Sequence, residues 1–92
     1  MIYEWDAGKA ATNLKKLGVS FEDATTVFLD PLAMTFPDPD DSADELREIT
    51  IGHTIRQQLV FVSHCERRSR IRIISARLAT PSERRQYETG DW

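Results

Sequence analysis

The chain has 92 residues, which is enough for one small domain and too few for a large cofactor-binding fold. Its composition, 40% apolar and 29% charged, is typical of a folded globular protein rather than a disordered one. The longest aliphatic or aromatic run, Leu59 to Val62, is far too short to cross a bilayer. We therefore expect residues 1–92 to form a single domain of a cytoplasmic protein. Its one cysteine fits a reducing compartment.

The net charge of −3 conceals an uneven distribution of charge along the chain. Residues 1–46 contain three lysines and ten acidic residues, whereas residues 47–92 contain nine arginines, no lysine and five acidic residues. Arginine presents a planar fork of donors that matches phosphate and carboxylate groups. The second half therefore suggests a partner that carries phosphates or carboxylates, and an ordinary solvated surface is the equally weighted alternative.

In the first half, a short edge strand is predicted at Met1–Trp5. Asp6 can cap a helix whose apolar face contains Ala10, Leu14 and Leu17, and Gly18 can end it. The pattern from Ser20 to Asp23 resembles a capping box and predicts a second helix that stops before Pro31. An alternating pattern predicts a strand at Leu32–Phe36, and the acidic segment 37–45 is predicted as a solvated loop.

The second half is predicted to contain three strands and one helix. The strands are Arg47–His53, Gln58–Cys65 and Arg70–Ala79, and the short links between them favour antiparallel pairing. Thr80 to Glu83 combines a cap, a proline at the first helical position and a glutamate, and predicts a helix to about Glu88. The predicted order is therefore β-α-α-β-β-β-β-α.

Three possible motifs, for a cysteine nucleophile, a zinc site and a calcium loop, have little support in the sequence. His64 and Cys65 are neighbours on a strand and point to opposite faces, so they do not form a nucleophile and its base. A zinc site would lack the paired ligand spacings that favour it, and the acidic segment 37–45 lacks the glycine and terminal glutamate of a calcium loop. We therefore predict no metal site.

The arginines of the last predicted strand are more informative. Strand alternation places Arg72 and Arg77 on opposite faces, so both can reach one phosphate only if the strand twists, bulges or ends near Arg77. For each arginine alone, a structural ion pair is as plausible as a catalytic role. His53, on the strand that begins at Arg47, fits a structural histidine better than a catalyst.

A set of these residues resembles the BrnT family, the toxins of bacterial type II toxin–antitoxin pairs. The resemblance spans about residues 3 to 88. It is carried by Trp5-Asp6, Asn13-Leu14, Lys16 to Phe21, Val27 to Pro31, Arg47, Ile51-Gly52, Glu83-Arg84 and Tyr87-Glu88, and most specifically by Arg72-Ile73-Ile74-Ser75-Ala76-Arg77. The family commonly has a histidine where this chain has Leu17, so this member differs from the pattern there.

The resemblance implies an α+β fold similar to the RelE ribonuclease toxins, with two N-terminal helices packed on a curved antiparallel sheet and a short C-terminal helix. It implies an endoribonuclease that cleaves RNA without a metal or other cofactor and inhibits translation and growth. It also implies neutralisation by an antitoxin with a ribbon-helix-helix domain. We expect two toxins to bind two antitoxins, with operator DNA contacted only through the antitoxin and no membrane partner.

Metal-independent RNA cleavage needs groups that accept the 2′-hydroxyl proton, stabilise charge on the phosphate and protonate the leaving oxygen. The candidates for these roles are Arg47, Arg72 and Arg77 for charge stabilisation, His64 or Glu83 as base, Tyr87 as an acid or a base-stacking group, and Arg70 and Arg84 for RNA binding. If the arginines and Tyr87 prove structural, His53 and His64 are the next candidates.

The alternative function is a non-catalytic module that binds nucleic acid or protein. The pI near 5.3 argues against independent DNA binding, because such domains are usually strongly basic. An RNA cleavage assay in the presence of EDTA distinguishes the two functions.

Overall fold

The computed structural model describes residues 2–39 and 46–90. Its elements are β1 (Ile2–Glu4), α1 (Ala7–Leu17), α2 (Phe21–Thr25), a 3₁₀ helix (Thr26–Leu29), β2 (Met34–Pro37), β3 (Arg47–His53), β4 (Leu59–Arg67), β5 (Arg70–Leu78) and α3 (Pro81–Thr89). The predicted order of strands and helices is confirmed. Most of the acidic segment predicted as a loop, residues 40–45, lies outside the described residues.

Local signals in the sequence set the ends of the helices. The Asp6 carboxylate accepts the backbone N–H of Lys9 at the start of α1, and Gly18 ends that helix with a left-handed φ of 75°. The Ser20 hydroxyl caps α2 in the same way by accepting the N–H of Asp23. At the start of α3, Thr80 and Glu83 form the complete predicted capping box.

Several element boundaries differ from the prediction, and β4, for example, extends to Arg67 instead of ending at Cys65. The second helix ends at Thr25, and the chain continues as the 3₁₀ helix. The strand that is predicted to begin at Leu32 begins at Met34, because Asp30 stabilises a turn before it. The Asp30 carboxylate accepts the N–H of Leu32 at 2.9 Å, and the Asp30 carbonyl accepts the N–H of Ala33 at 3.1 Å.

The five strands form one sheet in the order β1-β5-β4-β3-β2. The prediction of antiparallel pairing is correct for β2 to β5, which form a meander. It is wrong for β1, which pairs parallel with β5 at the edge of the sheet. Parallel neighbours need a long connection, and here most of the chain lies between the two strands.

A β-bulge interrupts the pairing of β4 with β5. Ser63 pairs with Ser75, but the next residue of β4, His64, pairs with Ile73, so Ile74 is an extra residue on β5. The bulge shifts the alternation of β5 by one residue. Arg72 and Arg77, which simple alternation placed on opposite faces, therefore face the same side of the sheet.

Helices α1 and α2 and the 3₁₀ helix pack on the other side of the sheet, here called the helix-covered face. The main core of buried side chains lies there and comprises Val19, Phe21, Ala24, Val27, Val60, Val62, Ile73 and Ala76. The predicted apolar face of α1 is partly wrong, because Leu14 and Leu17 are 52% and 44% exposed. Asn13 is buried in that helix instead.

Asn13 connects α1 to the middle of the sheet. Its Nδ2 donates to the carbonyls of Val19 at 2.9 Å and Ala76 at 2.8 Å, and its Oδ1 accepts the N–H of Ala76 at 3.1 Å. A buried amide with this many partners satisfies most of its hydrogen-bonding capacity. It fixes α1 beside the segment of β5 that follows the bulge.

Candidate functional site

The face of the sheet opposite the helices carries most of the predicted site residues, and we call it the arginine face. Paired residues on neighbouring strands point to the same side of a sheet, so the strand register identifies its members. They are Ile2 and Glu4 from β1, Met34 and Phe36 from β2, Arg47, Ile49, Ile51 and His53 from β3, Leu59, Phe61, Ser63, Cys65 and Arg67 from β4, and Arg70, Arg72, Ser75 and Arg77 from β5. A small core of Ile51, Leu59 and Phe61 anchors this side, and Tyr87 of α3 packs on it.

Arg47 and Arg72 lie in one row across three strands. Both pair with the buried Cys65, Arg47 from β3 and Arg72 from β5. Two strand spacings separate their backbones by about 10 Å, a span that two arginine side chains can close around one phosphate. Arg72 Nη1 lies 3.2 Å from Oε2 of Glu4, which holds this guanidinium on the face.

Arg77 lies in a second row, opposite Phe61 and about 13 Å along β4 from the first. Its guanidinium carbon stands 4.4 Å above the centre of the Phe61 ring. Nη1 and Nη2 donate to the two carboxylate oxygens of Glu83 at 2.7 and 2.8 Å, and Nη1 also donates to the carbonyl of Leu78 at 3.3 Å.

These bonds use three of the five N–H donors of Arg77. The remaining donors, Nε–H and one Nη2–H, form the second edge of the guanidinium, and this edge has the spacing for bidentate phosphate binding. The side chain is 44% exposed, so a ligand on the arginine face can reach it. The hydrogen bonds to Glu83 raise the pKa of Arg77 and keep its charge fixed.

Glu83 is held in its ionised form. The hydrogen bonds from Arg77 lower the pKa of this carboxyl to about 2, and the backbone N–H of Thr80 contributes to the shift. A carboxylate that binds a proton so weakly is a poor general base near neutral pH. The geometry instead lets Glu83 orient the guanidinium of Arg77 while it caps α3.

Tyr87 brings α3 back onto the sheet. Its hydroxyl donates to the carbonyl of Leu32 at 3.1 Å, and its ring meets the ring of His53 edge-on at a centroid distance of 5.7 Å. Burial, and to a smaller extent the charge of Asp30, raise the pKa of Tyr87. Its phenol is therefore a protonated donor at neutral pH.

The structure does not bring His64 together with the arginines. Its side chain lies on the helix-covered face, where Nε2 is 2.7 Å from the Thr50 hydroxyl and the ring meets Phe28 edge-on. His64 is only 5% exposed, and burial lowers its pKa, which the charge of Glu48 only partly opposes. This is the environment of a neutral core histidine.

Of the two predicted RNA-binding arginines, Arg70 lies at the end of the arginine face, because it pairs with Arg67 two residues beyond Cys65 on β4, and Arg84 lies on α3. Arg70 follows the two-residue turn of the β4–β5 hairpin, and its Nη1 is 3.8 Å from Glu4. Arg68 and Ser69 in that turn both have left-handed φ angles, 51° and 67°, which suit the twist of a tight hairpin. Arg84 is exposed on α3.

Sequence reasoning gave no role to Asp30, which the structure places beside His53. Its Oδ2 accepts the backbone N–H of His53 at 2.8 Å and lies 3.6 Å from Nδ1 of the same residue. The hydrogen bond from the His53 backbone is the largest cause of a lowered pKa at Asp30, so this carboxylate is ionised at neutral pH. The adjacent Pro31 marks only a turn, and no sequence signal pairs Asp30 with a histidine 23 residues later.

The described residues, 2–39 and 46–90, contain no group of three His, Cys, Asp or Glu side chains placed to hold a metal ion. Within the same ranges, no helix is long and apolar enough to span a bilayer.

Comparison with known proteins identifies a family and a similar solved structure. A family described as the ribonuclease toxin BrnT of type II toxin–antitoxin systems matches residues 5–83. The crystal structure of the Brucella abortus ribonuclease toxin BrnT is similar in fold, with a TM-score of 0.67 and 27% sequence identity. That similarity covers 87% of this chain and 99% of the Brucella chain. No curated protein sequence matches the chain significantly.

Proposed function

This chain belongs to the BrnT family of ribonuclease toxins of type II toxin–antitoxin systems, and we propose that it cleaves RNA on the arginine face without a metal ion. The observation that carries this proposal is the bulge at Ile74, which puts Arg72 and Arg77 on the same side of the sheet as Arg47. Three guanidinium groups on one face provide the positive charge that a reacting phosphate requires.

In the proposed reaction, the ribose 2′-hydroxyl attacks the adjacent phosphorus and the bond to the 5′-oxygen breaks. The products are a 2′,3′-cyclic phosphate and a 5′-hydroxyl, and no water is consumed. Negative charge builds up on the non-bridging oxygens, where fixed guanidinium donors act most strongly. Arg77 offers its second edge to these oxygens, and Arg47 and Arg72 hold the RNA backbone in the other row.

The groups around Arg77 have different roles in this proposal. Glu83 positions Arg77 and does not transfer protons, because its pKa is about 2. Tyr87 donates the proton that the leaving 5′-oxygen needs when its hydroxyl turns from the carbonyl of Leu32 to that oxygen. His64 takes no part, because it is buried on the helix-covered face. Exposed Arg70 and Arg84 contact the RNA backbone further out.

A type II toxin has an antitoxin as its partner. We propose that this antitoxin carries a ribbon-helix-helix domain and covers the arginine face, where charged donors surround a small apolar centre. A dimeric antitoxin of this kind gives a complex of two toxins and two antitoxins, in which only the antitoxin contacts operator DNA. Without it, the RelE-like toxin cleaves cytoplasmic RNA and stops translation and growth.

The activity is tested by incubating the purified toxin with RNA in excess EDTA. We expect cleavage to continue and the products to end in 2′,3′-cyclic phosphate. Tight RNA binding without cleavage would instead favour the non-catalytic module, and activity restored only by added metal would contradict metal independence. For the complex, ultracentrifugation of the co-expressed pair should give a 2:2 mass, and a 1:1 heterodimer at micromolar concentration would contradict it.

A further inference from the structure

We propose that His53, oriented by Asp30, is the general base that removes the 2′-hydroxyl proton during RNA cleavage. This inference rests on the proposed function, because it assigns a role in that reaction. It is based on three side chains that lie together at the end of the arginine face: the carboxylate of Asp30, the imidazole of His53 and the phenol of Tyr87.

His53 lies at the end of the arginine face. It is the last residue of β3 and lies two residues beyond Ile51, so its side chain faces the same side as Phe61 and Arg77. The side chain is 36% exposed, in contrast with the buried His64. A substrate on the arginine face can therefore reach this imidazole.

The carboxylate of Asp30 lies behind the imidazole ring of His53. Asp30 Oδ2 is anchored by the backbone N–H of His53 and lies 3.6 Å from Nδ1, and its side chain is only 13% exposed. The turn that carries Asp30 approaches β3 closely at Gly52, where a Cβ would lie 3.0 Å from the Cβ of Ala33 and 3.3 Å from Oδ2. A small shortening of the Nδ1 contact gives a hydrogen bond, and catalytic contacts often tighten in this way when substrate binds.

This arrangement has a chemical consequence. A carboxylate at Nδ1 places the ring proton on that nitrogen, leaves Nε2 as the acceptor and stabilises the imidazolium that forms. Among the described residues, the titratable groups in contact with His53 are Asp30 from the turn and Tyr87 from α3. One of them is an anion that supports a base, and the other is a proton donor.

His53 lies near Arg77, the group that stabilises charge on the phosphate. The row of Arg77, Phe61 and Ile51 is next to the row that contains Leu59 and His53. Two strand spacings across the sheet and two residues along it separate the backbones of His53 and Arg77 by about 12 Å. Both side chains are long enough to meet at one phosphodiester between them, and Tyr87 packs over the same rows.

His53, Tyr87 and one water account for every proton that is transferred in the reaction. His53 Nε2 accepts the 2′-hydroxyl proton as the new oxygen–phosphorus bond forms, and Tyr87 gives its proton to the 5′-oxygen as the old bond breaks. The proton on His53 then returns to the Tyr87 oxygen through one water, and both groups regain their starting states. No oxidant, reductant or metal is needed.

The test compares the pH dependence of kcat/KM for three proteins: wild type, His53→Gln and His64→Gln. Wild type should lose activity as pH falls, because a general base must be unprotonated to accept the 2′-hydroxyl proton. His53→Gln should lose this dependence and about 10²- to 10⁴-fold in rate, the usual share of a general base, while RNA binding persists. His64→Gln is the matched control, and it should keep the dependence even where its folded fraction falls.

A second experiment separates a catalytic role from a structural one. The rate of His53→Ala should rise with added imidazole in proportion to its concentration, and the rate of wild type should not. Asp30→Asn should lower kcat with little change in KM. A wild-type rate and pH profile in His53→Gln would overturn this inference while leaving RNA cleavage intact. Failure of wild type to cleave RNA would instead overturn the proposed function.

Discussion

Polar side chains on the two faces of the sheet differ in burial and in hydrogen bonding. On the helix-covered face, Asn13, Thr50 and His64 are buried, and each is satisfied by partners within the protein. On the arginine face, Arg72 and Arg77 are partly exposed, and each is held by a carboxylate that leaves donors available. Buried polar groups that are paired within the protein serve stability, whereas a partly exposed group held in one orientation is prepared for a ligand. One face therefore holds the fold together and the other carries the proposed chemistry.

The largest expected effect is on the helix-covered face. Phe21 is fully buried in the main core and meets Trp5 edge-on. Phe21→Ala should lower the free energy of unfolding by about 3–5 kcal/mol through lost burial and the cavity left behind. Urea unfolding followed by circular dichroism measures this loss. A change below 1 kcal/mol would mean that this face does not hold the main core.

A loss of similar size, but in rate, is expected on the arginine face. Arg77→Lys keeps the charge but removes the planar fork, so it cannot hold Glu83 and a phosphate together. The cleavage rate should fall by about 10²- to 10³-fold. The pair with Glu83 is solvent-exposed, so stability should fall by only about 1 kcal/mol. Single-turnover cleavage, with Arg85→Lys on the exposed surface of α3 as control, measures the difference.

Asn13→Ala should produce the next largest effect, and only on stability. The substitution strands the N–H of Ala76 and two carbonyls inside the protein, which should cost about 1–3 kcal/mol. Leu14→Ala is a matched control in the same helix, because Leu14 is 52% exposed and should change stability by about 0.5 kcal/mol or less. Equal losses from the two variants would show that the buried amide is not a special contact.

The smallest expected effect is on stability, and it comes from the ion pair between Glu83 and Arg77. It can be measured as a dependence of the free energy of unfolding on pH. The pKa of Glu83 is about 2 in the folded protein, below the ordinary value of 4.5, so folding favours the ionised form. Its stabilisation is therefore complete above pH 4.5 and is lost as pH falls toward 2. Glu83→Gln should be less stable than wild type by about 1 kcal/mol at pH 7, after allowance for solvent screening. The two unfolding curves should converge near pH 2, and a constant gap would contradict the ion pair.

Features set by nearby residues could be predicted from the sequence. Asp6 and Gly18 bound α1 as expected, and β3 has its predicted limits, because caps and alternation act over a few residues. The parallel pairing of β1 and the bulge at Ile74 could not be predicted in this way. Both depend on the register between strands distant in sequence, and a shift of one residue reverses every face that follows.

The residues of the proposed cleavage site likewise depend on contacts between segments that are distant in sequence. Arg72 and Arg77 could be selected by residue type, but only the bulge shows that they share a face. Side-chain chemistry alone favours His64 as a base, but the structure places it on the opposite face from the arginines. Asp30 carried no signal, because its contact with His53 joins a turn to the end of a strand.

The division of roles between the two faces is tested most directly by measuring the cleavage rate in EDTA and the thermal midpoint together for Arg77→Lys and Asn13→Ala. The account predicts opposite patterns at a temperature where both proteins are folded. Arg77→Lys should lose about 10²- to 10³-fold in rate with a nearly unchanged midpoint. Asn13→Ala should lose several degrees in midpoint and keep the wild-type rate per folded molecule. If Arg77→Lys instead cleaves at the wild-type rate, or loses rate only in proportion to lost folding, the arginine face is not the site of cleavage.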